Sequence, residues 1–370
     1  MNRTEYQICT RCIMDNAHDS DIRFQPDGTC NYCNNALGNI GKVYLPNAEG
    51  KARLDSMIAM LKQNGKGRKY DCMMGISGGL DSAYLAYLGA AKWGLRIFAV
   101  HIDDGFDTQL AQDNIRNLCE KAKIDLVYEK PDAEQFNELT RAFVLAGVPN
   151  IAMPQDNILF AHLYDYAIKN GLHYFLSGGN FALESILQTG NSHAAIDDVN
   201  IRDINRRFGR KPLNKLKLLS VFRKKVLIDH FYNISSLRPL NYMDYNKERA
   251  LAELKEFSGF TYYAAKHCES IFTKFMQWYY LPEKFGVDKR KSHLSSLIVS
   301  GQMTREQALE ELKKPLYLPE ELEHDLDFIC RKLDFSRAEF DEIMKKPGVQ
   351  HSAYKTSKLL NLAIKIRKHL

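Results

Sequence analysis

Two groups of residues have the types and spacing that do chemistry. The first is Ser77-Gly78-Gly79-Leu80-Asp81-Ser82, which follows the apolar run Cys72-Met73-Met74-Gly75-Ile76 and leads into a helix-forming run from Ala83 to Leu88. Paired glycines let the backbone curl so that successive N–H groups and the helix N-terminus converge on one anion, while Ser77 and Ser82 add hydroxyl donors. Such a turn suits pyrophosphate. Asp81 puts an acid where an anion is expected, which is unfavourable unless it caps the helix or faces a magnesium ion bridging phosphate oxygens, and magnesium is the expectation. No Gly-Lys-Ser/Thr ending follows, so no lysine is placed for γ-phosphoryl transfer. The plain alternative is a Ser/Gly turn that only caps a helix.

The second group is Cys9-Thr10-Arg11-Cys12 with Cys30-Asn31-Tyr32-Cys33, two C-x-x-C knuckles separated by a stretch containing the turn signal Pro26-Asp27-Gly28. Two intervening residues let both thiolates of a knuckle face one tetrahedral ion, and two knuckles complete a closed four-sulfur shell. The reading is a structural zinc ribbon that folds with its metal; a redox pair or an iron–sulfur cluster are the alternatives. Cys72, Cys119, Cys268 and Cys330 lie singly among apolar or helical neighbours and are read as small buried hydrophobes.

These residues need elements to hold them. After the first helix, Leu95 to Ile102 reads as a buried strand ending at Asp103-Asp104-Gly105, and a third strand follows at Asp125 to Glu129. A helix from Asn157 to Lys169 runs into the strand Leu172 to Leu176 and the turn Ser177-Gly178-Gly179-Asn180, and Ser235 to Leu240 reads as the last strand with its exit. Strands alternating with helices predict an α/β fold with a doubly wound parallel sheet, in which ligands gather at the carboxyl ends of the strands. Beyond Tyr245 the sequence turns helical, with capping-box spacings at Thr304/Gln307 and Ser336/Glu339. The expected units are a zinc ribbon over 1–45, a nucleotide domain over 46–250 and a helical C-terminal region over 251–370 that covers the site. Aromatic residues between Phe257 and Tyr280 are read as helical core, and Lys358 to Leu370 as a basic amphipathic helix packing against the body.

A chain of 370 residues, 45% hydrophobic and 26% charged, is long enough for two or three units and excludes disorder and fibrous repeats. Its net charge of +6 suits an anionic ligand at least as well as RNA. No apolar run of membrane-spanning length occurs, and Met1 to Tyr6 lacks the apolar stretch of a secretory signal, so a cytoplasmic location without membrane insertion is expected.

Ser77 to Ser82 match every position of the S-G-G-x-D-S signature of the PP-loop ATP pyrophosphatases, and the chain resembles that superfamily. The resemblance implies cleavage of ATP between the α and β phosphates, with AMP placed on an acceptor oxygen. It also implies that the backbone around Val100 to Ile102, with His101 and Asp103, holds the adenine side, and that Ser177, Gly178, Gly179 and Asn180 line the ribose and α-phosphate side. On the residues alone, His101 reads equally as a satisfied histidine at a strand end and Asp103 as a helix cap. Arg238-Pro239-Leu240 after the last strand is a pattern also seen in these enzymes.

A narrower resemblance covers nearly the whole chain. The N-terminal C-T-R-C-I-M-D, the order of ribbon, phosphate loop and helical tail, the run Lys266-His267-Cys268-Glu269-Ser270 and the cationic run Lys289-Arg290-Lys291-Ser292-His293 beside Leu294 to Ile298 are similar to bacterial N-acetyl sugar amidotransferases of surface-polysaccharide (lipopolysaccharide O-antigen) biosynthesis. That resemblance implies that ATP adenylylates the carbonyl oxygen of a sugar N-acetyl group and ammonia displaces AMP, leaving an acetamidino sugar. ATP, Mg2+ and Zn2+ are the implied cofactors. Ser77, Asp81, Lys289 and Arg290 are the expected catalytic residues, and Asp156, Glu184, His193 and His293 the expected sugar contacts. Position 2 is Asn and no cysteine lies in a G-x-C-x-G elbow, so this chain shows no glutaminase of its own. The implied partners are a separate glutaminase and an ammonia-channelling protein akin to the two subunits of imidazole glycerol phosphate synthase; nucleic acid is not expected. The alternatives are a tRNA-thiolating pyrophosphatase and a non-catalytic zinc and nucleotide module.

Overall fold

The computed structural model describes residues 5–263 and 268–362. Five short strands form its sheet: β1 (Cys72–Gly75), β2 (Ile97–Ile102), β3 (Asp125–Glu129), β4 (Tyr174–Leu176) and β5 (Ser235–Leu237). All pair in parallel, in the order β3-β2-β1-β4-β5. The two most apolar runs, Cys72–Met74 and Ile97–Val100, are buried on both faces, as parallel strands covered by helices must be. Chain order reverses between β1 and β4, where Met73 pairs with Phe175 and Met74 with Leu176. That reversal opens a crevice at the strands' carboxyl ends.

Polar caps start the flanking helices where the chain leaves the sheet. Thr108 accepts from Ala111 N to open Gln109–Ala122, and Asp132 accepts from Gln135 N to open Ala133–Ala146. The helix expected from Asn157 begins earlier, at Met153, because Pro154 in its first turn is preset for helical φ. The last strand ends at Leu237, and Pro239 opens a single 3-10 turn through Tyr242.

The described residues of the C-terminal region form helices joined by short loops and no strand, with Ile271–Phe275, Leu281–Phe285, Arg290–Val299, Arg305–Lys313, Pro319–Lys332 and Arg337–Lys345 among its α-helices. Both capping boxes form reciprocally, Thr304 with Gln307 and Ser336 with Glu339. Phe272, Phe275 and Tyr280 are buried in one cluster with Phe106, Phe143 and Phe340, so these aromatic residues are core. A second cluster runs from the four N-terminal cysteines through Leu85 and Ala86 to Leu254. The core is therefore continuous across the boundaries expected near 45 and 250. Leu360 is buried in a helical run that opens at residue 358; of the basic helix expected over Lys358 to Leu370, residues 363–370 lie outside the described residues, as do Lys266 and His267. Among the described residues no helix is long and apolar enough to cross a membrane.

Candidate active site

Two Ser-Gly-Gly turns lie side by side at the crevice, because β1 and β4 are neighbours and each exits into one. They share a local design: Gly79 N donates to Ser77 Oγ at 3.3 Å, and Gly179 N donates to Ser177 Oγ at 3.2 Å. In the first turn Ser77 and Ser82 hydroxyls meet at 3.1 Å, and Ser82 Oγ donates to Gly79 O at 3.1 Å. Gly78 sits at φ +81°, a left-handed conformation that a glycine reaches without strain, and its carbonyl accepts from Tyr263 Oη at 3.0 Å. Leu80 then begins the helix Leu80–Tyr87 with Asp81 in its first turn, where the helix dipole favours a carboxylate. Asp81 Oδ1 accepts from Tyr245 Oη at 2.5 Å.

The second turn touches the first through backbone. A Cβ on Gly178 would lie 3.0 Å from the carbonyl carbon of Asp81 and 3.0 Å from Ser82 N. Gly178→Ala is therefore expected to push the turns apart, at a cost of about 1–3 kcal/mol for overpacking, and to weaken ATP binding. Thermal unfolding and calorimetric titration with ATP check this; unchanged values in both would mean that the turns are not held together.

The turns open into a cavity of about 730 Å³. Ser77, Gly79, Leu80, Asp81, Ser82, Ser177, Gly178 and Gly179 line its floor. Helix Met153–Lys169 supplies a side wall with Gln155, Asp156, Leu159, Phe160 and Leu163. The C-terminal region closes it with Glu269, Ser270, Thr273, Met276, Gln277, His293, Leu294 and Leu297. That closure is tied to the connection that follows β2 by backbone bonds, Thr108 N to Glu269 O and Ile271 N to Phe106 O, both 2.9 Å. The wall reaches the phosphate loop itself, since a Cβ on Gly79 would meet Glu269 Oε1 at 2.7 Å.

A buried acidic corner lies at the end of β2. His101 Nδ1 is 2.7 Å from Ile76 O, next to the phosphate loop, and His101 Nε2 is 3.1 Å from Asp107 Oδ2. Burial works against a charged His101 ring, but Asp107 beside it wins and its pKa stands above the ordinary value. Burial first, then the charge of Asp107, push the Asp104 carboxyl up to about 7. Burial also raises Asp107, against the pull of His101.

The structure gathers most, not all, of the residues expected at the site. His101, Asp156, Glu184 and His293 line the cavity with the two turns. Asp103 does not; it pairs with Lys130 at 2.9 Å and accepts from Gly105 N at 3.1 Å, so the lining acids are its neighbours Asp104 and Asp107. Asn180 lies behind the second turn, capping Leu183 N at 2.9 Å and donating to Gly178 O at 3.1 Å. His193 is turned away, paired with Asp197 at 2.9 Å and stacked on His351 at 4.6 Å between ring centres. Lys289 is outside the lining residues, and burial holds its ammonium below the ordinary pKa while Asp19 opposes. Arg290 borders the cavity with its guanidinium spent elsewhere: Nε and Nη2 donate to Asp288, and Nη1 and Nη2 donate to the carbonyls of Glu311, Lys314 and Leu312. Its donors are shared between Asp288 and the carbonyls at the end of helix Arg305–Lys313, so in this structure Arg290 clamps that helix at the edge of the cavity. Sequence reasoning missed Asp104, Asp107, Gln155, Tyr245 and Glu269. Two signals were present, the acidic Asp-Asp-Gly-Phe-Asp run at a strand end and Glu269 within the run Lys266 to Ser270 that carried the narrower resemblance.

The four ribbon cysteines form a second centre. Their sulfurs lie within 4.8 Å of one another, and Cys9–Cys33 and Cys12–Cys30 are 3.6 Å apart. A tetrahedral ion with Zn–S bonds of about 2.3 Å sets its sulfurs about 3.8 Å apart, so the shell fits one zinc-like ion. An iron–sulfur cube would hold them wider. Backbone N–H groups of Cys12 and Cys30 donate to Cys9 Sγ at 3.4 and 3.2 Å, and hydrogen bonding from the other cysteines holds that thiol well below its ordinary pKa. The ribbon docks behind the cavity wall. Arg305 donates to the carbonyls of Cys12 and Cys9 at 3.1 Å, Ile13 N donates to Ser295 Oγ at 3.3 Å, and Lys291 pairs with Asp15.

Residues 269–367 match the family model of LPS biosynthesis protein WbpG-like, C-terminal domain. These residues include the cavity's closing wall. A search of curated proteins gives no match. Among solved structures, an ammonia-dependent NAD synthetase from Campylobacter jejuni is 16% identical over 36% of this chain and 58% of its own, with a TM-score of 0.27. NMN synthetase from Francisella tularensis is 15% identical over 61% of this chain and 92% of its own, at 0.29. The tRNA thiolase NcsA from Methanococcus maripaludis, with its 4Fe–4S cluster, is 16% identical over 70% of this chain and 80% of its own, at 0.31. Overlaps this loose do not assign chemistry to this chain.

Proposed function

We propose that this chain is an AMP-forming, ATP-dependent N-acetyl sugar amidotransferase of lipopolysaccharide or related glycan biosynthesis, working in the cytoplasm. The observation that carries the reading is the pair of Ser-Gly-Gly turns at the sheet's switch point, opening into one cavity closed by the WbpG-like segment. The first turn would hold pyrophosphate and the second the α-phosphate side of the nucleotide. An amide carbonyl is a poor electrophile and its oxygen a poor leaving group, whereas an O-adenylyl imidate departs as AMP. Transfer to nitrogen therefore needs activation and a water-poor site, and the closing wall of Met276, Leu294 and Leu297 supports the second requirement.

Magnesium would be held jointly by the protein and the substrate's phosphates. Among the described residues only the four cysteines group closely enough to hold a metal by themselves. Asp81 and Ser77 would hold Mg2+ with phosphate oxygens, the mode in which this ion takes one or two carboxylates and keeps its substrate ligands. When bound it would neutralise the departing pyrophosphate beside the acids of the cavity. Asp156, Glu184 and His293 are the proposed sugar contacts.

Nitrogen would come from a separate glutaminase and an ammonia-channelling partner resembling the imidazole glycerol phosphate synthase subunits, with free ammonium as a substitute in the test tube. Against the thiolation alternative, no cysteine among the described residues lines the cavity, and burial pushes the Cys119 thiol up to about 12.

The test is pyrophosphate release from ATP with ammonium, against a panel of free and nucleotide-linked N-acetylated sugars and unmodified tRNA. The expected result is release with a diacetamido sugar and a product about one mass unit lighter as oxygen becomes NH. Release with tRNA alone would sink the reading.

A further inference from the structure

The first turn can cradle an anion only while its amides face the cavity, and one of its peptide units is easily turned over. Gly78 and Gly79 flank that unit, and with no Cβ on either side it can flip at small cost. Flipped, it would aim the Gly78 carbonyl oxygen at the phosphates and carry the Gly79 N–H away from them, since the two groups point in opposite directions from one planar unit. The structure holds it the other way. Gly78 O accepts from Tyr263 Oη at 3.0 Å, and Gly79 N lies on the opposite side, toward Ser77 Oγ at 3.3 Å. Ser77 and Gly79 line the cavity, while Gly78 and Tyr263 stand behind the lining.

Tyr263 has one hydroxyl proton to give, and its surroundings decide where it goes. Asn114 Oδ1 accepts from Thr261 N at 3.1 Å, which fixes the amide so that Nδ2 donates to Thr261 O at 2.9 Å and to Tyr263 Oη at 3.0 Å. The Tyr263 oxygen is thereby an acceptor on that side, and its proton is left for Gly78 O. Both side chains are buried, and burial holds the Tyr263 hydroxyl above its ordinary pKa, so it stays a donor. Asn114 lies on helix Gln109–Ala122, whose Ala111 also packs on the turn: a Cβ on Gly78 would lie 3.1 Å from Ala111 Cβ. Without the hydroxyl, the Gly78 carbonyl would be buried and unpaired, a cost that flipping the peptide relieves.

We propose that Tyr263, oriented by Asn114, is a positioning residue that keeps the Gly78–Gly79 peptide in its anion-binding orientation, so that pyrophosphate binding depends on a residue 185 positions along the chain. This rests on the reading of the first turn as the pyrophosphate cradle. Tyr263 precedes the wall residues Glu269 and Ser270 in sequence, so the stretch of chain that closes the cavity also prepares the phosphate turn. The second turn has no such dependence: Gly178 O accepts from Asn180 Nδ2, two residues on, at 3.1 Å.

Tyr263→Phe keeps the ring and its packing and removes the hydroxyl alone. In calorimetric titration of the full chain with inorganic pyrophosphate in excess magnesium chloride, the variant is expected to bind about tenfold more weakly, the worth of one buried hydrogen bond. AMP, whose phosphate would rest on the second turn, should bind within about twofold of wild type, since no bond of that turn is lost. Equal weakening of both ligands would mean a general loosening and would overturn the proposal, as would unchanged pyrophosphate binding. A wild-type chain that binds no pyrophosphate would sink the cradle reading and the proposal with it. A crystal structure of the wild-type chain soaked with magnesium pyrophosphate needs no variant that folds. Gly78 O is expected to remain on Tyr263 Oη with the anion over Gly79, and a peptide turned over in the complex would overturn the assignment.

Discussion

Asp81→Ala is expected to lower sugar-dependent pyrophosphate release by about three orders of magnitude, the scale on which removing one group that meets developing charge slows a reaction. The carboxylate is placed for this by two independent constraints. It lies in the first turn of Leu80–Tyr87, where the helix dipole favours a negative group, and Oδ1 is held by Tyr245 Oη at 2.5 Å. Burial first, then the charge of Asp81, keep the Tyr245 hydroxyl well above its ordinary pKa, so it remains a donor at every working pH. Tyr245→Phe should leave the carboxylate in place but less fixed, at a cost of about tenfold. Zinc content should be unchanged in both variants. Near-normal turnover of Asp81→Ala would remove both the residue and its magnesium from the mechanism.

Cys30→Ser should have the largest effect on stability. Cys30 has two local jobs: its sulfur belongs to the four-thiolate shell, and its side chain caps helix Asn31–Leu37 by accepting from Cys33 N. Serine keeps the cap, for which it is well suited, and loses the thiolate, so the substitution isolates the metal's share. Structural zinc sites bind with about 10 kcal/mol or more, which is folding free energy when the site forms only in the fold. The expected outcome is loss of zinc by elemental analysis and a markedly lower unfolding temperature. A zinc-free variant that melts like the parent would show that the ribbon is not structural.

What could be read in advance was whatever a short window of sequence determines. The phosphate turn, the cysteine knuckles and both capping boxes depend on residues within a few positions of one another, and each formed as expected. The strand ends were harder by one residue. At Asp103-Asp104-Gly105 nothing local says which carboxylate faces inward, and the tertiary partner Lys130 draws Asp103 out. The partners of Arg290 and the turning away of His193 were hidden for a related reason. The carbonyls that occupy Arg290 lie about twenty residues on, at a helix end, and the ring that stacks on His193 belongs to His351. Distant partners of that kind leave no period or spacing to detect.

The docking of the ribbon also governs when the site comes into being. Ile13 bonds to Ser295, 282 residues later, and Arg305 grips the carbonyls of Cys9 and Cys12. The ribbon is made 282 residues before the serine on which Ile13 lands. Contacts that span most of a chain are entropically late and slow the final assembly. The cavity's closing wall is thus completed by contacts among the most widely separated in the fold, and it forms in a late step of assembly.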